Sequence, residues 1–214
     1  TMIFGALGAL GQSDLRRLLG YLVISGVGVM LAGVAVGGPG GVGGALFYAL
    51  HSMVVMTALY MTAGIAGRLG GTFDLNAAGG IYGRAAYFSA LSLVLFLAVS
   101  GLPPFSGFWP KVMVVKAAID IGAWWLAAAV LGSGLLTMIA VGRVWTLAYW
   151  RPAARSAESE APRASALVPL SLLAAVSVLV GLFPDMLLSQ IQSAAAVLSE
   201  PSAYVNSVFP GEAR

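Results

Sequence analysis

From residue 18 to residue 183 the chain passes through one apolar stretch after another. Each approaches the roughly 20 helical residues that cross a bilayer core of about 30 Å. Only 9% of the residues are charged, where soluble domains carry about a quarter. So few charges cannot clothe a water-soluble core. Hydrocarbon offers no partner to a free peptide N–H, so the spanning segments must bond internally as helices. An all-α polytopic membrane protein is expected, with about five spans at residues 18–36, 45–66, 87–122, 124–150 and 166–183, and a partial one at 2–13. The glycine-rich run 37–44 reads as a connecting loop.

Inside residues 87–122 stands the interruption Gly101-Leu102-Pro103-Pro104-Phe105-Ser106-Gly107. Proline has no N–H to continue a helical ladder, so this span is expected to be discontinuous at 101–107. Each half is about 15 residues, short for a crossing. Charge placement decides between one crossing and two. With one broken crossing, Arg16, Arg17, Arg68, Arg84, Arg151, Arg155 and Arg163 share a side; with two, the last three move across. Basic loops favour the cytoplasm, so one crossing is expected, with 37–44 and the C-terminus outside. Trp124, Trp125, Tyr149 and Trp150 sit where interfacial aromatics belong.

Residues 184–214 are expected to be an amphipathic tail. Met186, Leu187, Leu188, Ile191, Ala194, Ala195 and Leu198 form one apolar stripe, suited to the outer surface or to a partner. Residues 156–161 read as a solvated cytoplasmic loop. The first residues have no basic region or cleavage signature, so no signal peptide is expected. The chain is expected to begin partway through a longer protein, since Thr1 is not an initiator.

Polar residues inside the spans carry the functional reading. Lys111 lies roughly 16 Å from the outer end of its span at 1.5 Å per residue. An ammonium there is costly unless protein or water surrounds it. It is either part of an ion pathway or a structural lysine neutralised by carbonyls exposed at the break. His51, the single histidine, has an ordinary pKa of about 6.5 that suits a proton relay; the alternative is hydrogen-bonded structure. Lys116 has Asp120 four residues on, so it is a local ion pair or a stepping stone beyond Lys111. Asp14, Arg16 and Arg17 open a helix, as cap and topology anchor or as a proton entry or interface. Arg143 can snorkel to the cytoplasm and is expected to serve as an anchor there. Ser100, Ser106 and Ser133 hold pathway water or serve close packing.

Several classes are excluded. With no cysteine and one histidine, no metal site is expected. The 11 basic residues are scattered singly, giving no tract for nucleic acid. No phosphate loop or nucleophile–base constellation appears, so neither an enzyme nor a cofactor is expected.

Three segments carry a resemblance. These are Asp14-Leu15-Arg16-Arg17-Leu18-Leu19-Gly20-Tyr21, His51-Ser52-Met53-Val54-Val55-Met56-Thr57-Ala58-Leu59-Tyr60, and Gly101-Leu102-Pro103-Pro104 with Gly107-Phe108-Trp109-Pro110-Lys111. They resemble the proton-translocating antiporter-like subunits shared by respiratory complex I and multisubunit Na+/H+ antiporters. The tail, with Pro201-Ser202-Ala203-Tyr204-Val205, is similar to D-type subunits of Mrp antiporters. The resemblance implies that this chain is a C-terminal portion, holding most of the second of two inverted five-helix repeats. It implies a proton-translocating subunit in a bacterial inner membrane, with Lys111, His51, Lys116 and Ser106 on the pathway and Gly101, Pro103, Pro104 and Gly107 making the break. Other membrane subunits, protons, Na+ and lipid are the implied partners. A subunit of a redox-driven pump and a non-conducting scaffold remain alternatives. One departure is plain: Met56 stands where many D-type relatives carry lysine.

Overall fold

The computed structural model describes residues 1–152, 162–199 and 208. The expected solvated loop at 156–161, Arg155 and the tail motif at 201–205 lie outside them. Nine α-helices follow one another among the described residues: α1 Met2–Gly11, α2 Leu15–Val36, α3 Gly38–Gly70, α4 Ile81–Arg84, α5 Ala86–Ser100, α6 Phe108–Asp120, α7 Trp124–Val144, α8 Ala164–Leu182 and α9 Asp185–Ser199. A π-helical turn, Trp145–Trp150, prolongs α7. Four of the helices are long and apolar enough to cross a membrane: α2, α3, α7 with its π turn, and α8.

The Asp14 side chain starts α2 by accepting from the Arg16 and Arg17 amides at 2.9 and 3.1 Å. It satisfies donors that the first helical turn leaves without partners. α3 departs from the sequence expectation. The run 38–44 is its first turns and not a loop, so the connection shrinks to Gly37, whose φ is 72°. Pro39 suits the first turn of a helix, and the glycines permit close approach. A Cβ at Gly44 would stand 2.7 Å from Val114 Cγ2 of α6. Small residues at such crossings let helices pack where no hydrophobic force draws them together. With 33 residues, α3 is about 50 Å long, longer than a hydrocarbon core of about 30 Å is thick.

α3 is the central post, packed by α2, α5, α6, α8 and α9. Leu18, Leu59, Leu95, Tyr149 and Leu170 lie in the main buried cluster. Outward faces are apolar, with Leu131, Leu135, Ile139, Leu172 and Leu179 exposed. That pattern suits lipid or neighbouring subunits better than water. α9 sets Ile191 and Ala195 against Gly43 of α3, so its apolar stripe is covered in part by this chain.

Arg16, Arg84 and Arg151 gather at one end. A short antiparallel bridge joins Asp14 to Asp74 there, and Arg16 lies 3.8 Å above the Phe73 ring. Arg84 donates to the Leu69 carbonyl at 2.7 Å. Arg151 donates to the carbonyls of Leu75, Asn76 and Ala78 at 2.6–2.8 Å. α5 leaves from this end, and α6 packs beside the N-terminal turns of α3 at the other. The broken pair therefore traverses the bundle once.

Arg143 reaches toward the same basic end and donates to the Leu10 and Gln12 carbonyls at 2.7 and 3.0 Å, closing the C-terminal end of α1. Arg143→Ala should cost about 2 kcal/mol, the scale of hydrogen bonds from a charged donor. The check is a lower melting temperature of the detergent-solubilised protein.

Candidate functional site

The site is built on the interruption between α5 and α6. At Ser100 the α5 ladder ends, and Gly101 turns the chain with φ of 83°. The last carbonyls of any helix lack intrahelical donors and form the negative end of its dipole. Lys111, in the first turns of α6, fills that need. Its side chain leans toward the N-terminus of its own helix, as helical side chains do, and reaches back over the break. Nζ donates to the Ser100 carbonyl at 2.6 Å and lies 3.4 Å from the Val99 carbonyl. The residue is 9% exposed. Among the described residues, no carboxylate lies within ion-pair distance of it. A cation is thus held by dipoles alone, as at other helix ends inside membranes.

A second polar group flanks the same break. His51 Nδ1 is 2.8 Å from Ser106 Oγ, and Ser106 Oγ is 2.8 Å from Ser177 Oγ on α8. The Ser106 amide also donates to the Ser177 carbonyl at 3.1 Å. Trp109 Nε1 donates to the Gly181 carbonyl at 2.8 Å, pinning α6 to α8. Gly107 lies between the lysine and histidine sides. A Cβ there would stand 3.0 Å from His51 Nε2 and would collide with the Ala98 carbonyl. Lys111, His51, Ser106, Gly101 and Gly107 are therefore one assembly, with Pro103 and Pro104 in the loop that separates the two helices.

Lys116 stands apart from that assembly. It pairs with Asp120 at 2.7 Å, with side chains 75% and 58% exposed. It still lines, together with Lys111, Ser100 and Gly134, a cavity of about 450 Å³ between α6 and α7. Exposed i,i+4 pairs contribute about 0.3–0.5 kcal/mol. Lys116→Ala should therefore leave the unfolding midpoint within about 2 °C of the parent in a thermal melt.

Asp14, Arg16 and Arg17 lie at the opposite, basic end and are not brought to Lys111. The hydroxyls of Ser100 and Ser133 donate to the Phe96 and Val130 carbonyls of their own helices at 2.8 and 2.7 Å, rather than pointing into a water path. For Ser100 it is the main-chain oxygen that serves the site. Met56 is buried among apolar neighbours and adds no amine. Sequence reasoning missed Ser177; the available signal was a hydroxyl among apolar residues late in the 166–183 span. No cluster of three or more potential metal ligands occurs among the described residues.

Residues 1–137 match the family described as NADH:quinone oxidoreductase/Mrp antiporter, TM. The chain is 30% identical over 210 residues to the D-type Na(+)/H(+) antiporter subunit of Alkalihalophilus pseudofirmus, covering 98% of this chain and 43% of that relative. It is 31% identical to the subunit of the same name from Bacillus subtilis, again over 98% of this chain and 43% of the relative. Among solved structures, a chain of the Mrp complex from Dietzia sp. superposes with a TM-score of 0.86 at 28% identity, over 98% of this chain and 47% of that one. A chain of respiratory complex I from Thermus thermophilus gives 0.79 at 29%, over 93% and 43%. The chain spans less than half the length of these relatives.

Proposed function

Because this multi-pass membrane chain belongs to the NADH:quinone oxidoreductase/Mrp antiporter family, we propose that it is part of a proton-translocating subunit in a multisubunit cation/proton antiporter. Protons move between Lys111 and His51, with Ser106 and transient water completing the path, while Na+ crosses in the opposite direction. The single observation carrying this is that two buried titratable groups flank one helix break, Lys111 beside Gly101 and His51 beside Gly107, with no carboxylate paired to the amine among the described residues. Releasing a proton from such a site strands no buried anion. Coupling is electrostatic. A second charge about 8 Å away, at an effective dielectric constant near 20, alters the energy of the charged amine by about 2 kcal/mol. That is enough to make proton and cation occupancy depend on each other.

The gathered arginines are placed on the cytoplasmic side and α9 outside, following the bias of basic loops. Other membrane subunits are the partners, in keeping with the names of the relatives. Likeness to a complex I chain supports a second reading, a subunit of a redox-driven pump. The test uses the full-length protein with its partner subunits, in vesicles from a host lacking its own antiporters. A Na+ pulse should discharge a preformed pH gradient, read with a pH-sensitive dye. A response no larger than that of empty vesicles, from fully assembled complex, rejects the antiporter reading and leaves the redox pump or a non-conducting scaffold.

A further inference from the structure

The cavity of about 450 Å³ between α6 and α7 has a chemistry that proton movement does not use. Its size falls within the range of about 300–1,000 Å³ typical of small-molecule pockets. Val112, Val115, Ile119, Val130, Leu131 and Leu135 supply much of its wall. Four of these, Val112, Ile119, Leu131 and Leu135, are also exposed on the outward face, so the rim is apolar outside as well as in. Lys111 and Ser100 line the same cavity. We propose that it binds a free medium-chain fatty carboxylate drawn from the bilayer. The head pairs with Lys111, and the chain lies along α6 between Val112, Val115, Leu131 and Leu135. Binding of this kind stands whether or not the chain moves protons.

Charge is the first support. An ammonium has three hydrogens to donate, and Lys111 Nζ meets only the Ser100 carbonyl at 2.6 Å and the Val99 carbonyl at 3.4 Å. No carboxylate pairs with it among the described residues. Buried charges are ordinarily paired, and a hydrogen bond between two ionised groups is about twice as strong as a neutral one. An anionic head is therefore what the site lacks. Access is the second support. Gly134 lines the α7 side of the cavity, and a Cβ there would stand 3.4 Å from Nζ and 3.5 Å from the Ser100 carbonyl oxygen. That place is open, and an oxygen close to it is within reach of the amine. Length is the third. From Lys111 to Ile119 the wall runs along α6 for about 12 Å, which suits one unbranched chain better than the two of a phospholipid. Lys116, further along the same wall, is already paired with Asp120 at 2.7 Å and is 75% exposed. The head is thus assigned to Lys111, with the tail pointing toward Lys116.

The experiment uses the assembled full-length complex in nanodiscs of zwitterionic phosphatidylcholine, with a photoreactive diazirine analogue of decanoate as probe. Illumination should label the facing walls of α6 and α7, located by mass spectrometry of peptides. Unlabelled decanoate should compete about tenfold better than decanol, which has the same chain without the charge, as expected for a hydrogen bond between charged groups. Lys111→Met should lower labelling about tenfold for the same reason, and Gly134→Val, which fills the approach to the amine, should lower it as well. Lys116→Ala should stay within about twofold of the parent, because its exposed pair contributes little. The comparison of decanoate with decanol is made on the parent protein, so it stands even where a variant fails to assemble. Equal competition by the two overturns the proposal. So does an unlabelled α6–α7 wall in the complex, which would mean that neighbouring protein covers the cavity. Loss of labelling in Lys116→Ala but not in Lys111→Met also overturns it, by placing the head at the membrane surface. Competition by phosphatidylglycerol as strong as that of decanoate overturns it too, since the ligand would then be a lipid headgroup.

Discussion

Lys111→Ala should reduce Na+-dependent proton movement by about 100-fold, the lower range for losing a group that gives and takes protons. The substitution removes the amine at the break and leaves the Ser100 and Val99 carbonyls without their donor. Lys111→Arg is the sharper variant. It keeps a positive charge, but a guanidinium does not release its proton in proteins. Its planar head must also fit beside Gly101, where a Cβ would already stand 2.7 Å from the Lys111 side chain. Arginine should therefore fail to restore transport even though it can still donate to the two carbonyls. Dye discharge per assembled complex is the measurement. Full activity with arginine would show that a fixed cation suffices and that proton release from this residue is not part of the cycle.

Gly107→Ala carries the other large effect, this time on folding. An added methyl group meets the Ala98 carbonyl and lies 2.9 Å from His51 Cε1. Neither neighbour is a flexible side-chain tip. The carbonyl belongs to the last turns of α5, and the imidazole is held by Ser106 at 2.8 Å. Overpacking a tight site costs about 1–3 kcal/mol, and sometimes more; here about 3 kcal/mol is expected because backbone must move. Melting of the solubilised protein should fall by several degrees and transport should fall with it. Gly64→Ala is the control, since nothing lies within 4 Å of its Cβ position. Equal melting of the two variants would mean that the break is loosely packed and can widen without penalty.

Much of this arrangement is readable from residue order. The apolar stretches demand helices because hydrocarbon leaves peptide groups no other partner. The Gly-Pro-Pro run demands an interruption because proline cannot continue the ladder, and α5 ends and α6 begins around it. A lysine so far inside an apolar span marks the place where chemistry is concentrated. Glycine misleads in one respect. The run 38–44 reads as a loop from its low helix propensity, yet it is helical because bare backbone lets α3 close on Val114 of α6. For Arg143 the partner is hidden, since no local pattern reveals that it closes the end of α1, over 130 positions away.

Composition and period are local properties, and they specify which segments are helical, where one must break and which residue types are too polar for their surroundings. Partners across space are not local. That Lys111 bonds main-chain oxygens and not a carboxylate, and that Ser106 and Ser177, 71 positions apart, lie 2.8 Å from each other, depends on how α5, α6 and α8 cross. Those crossings follow from which small residues allow backbones to approach closely, a condition met only when the helices are assembled.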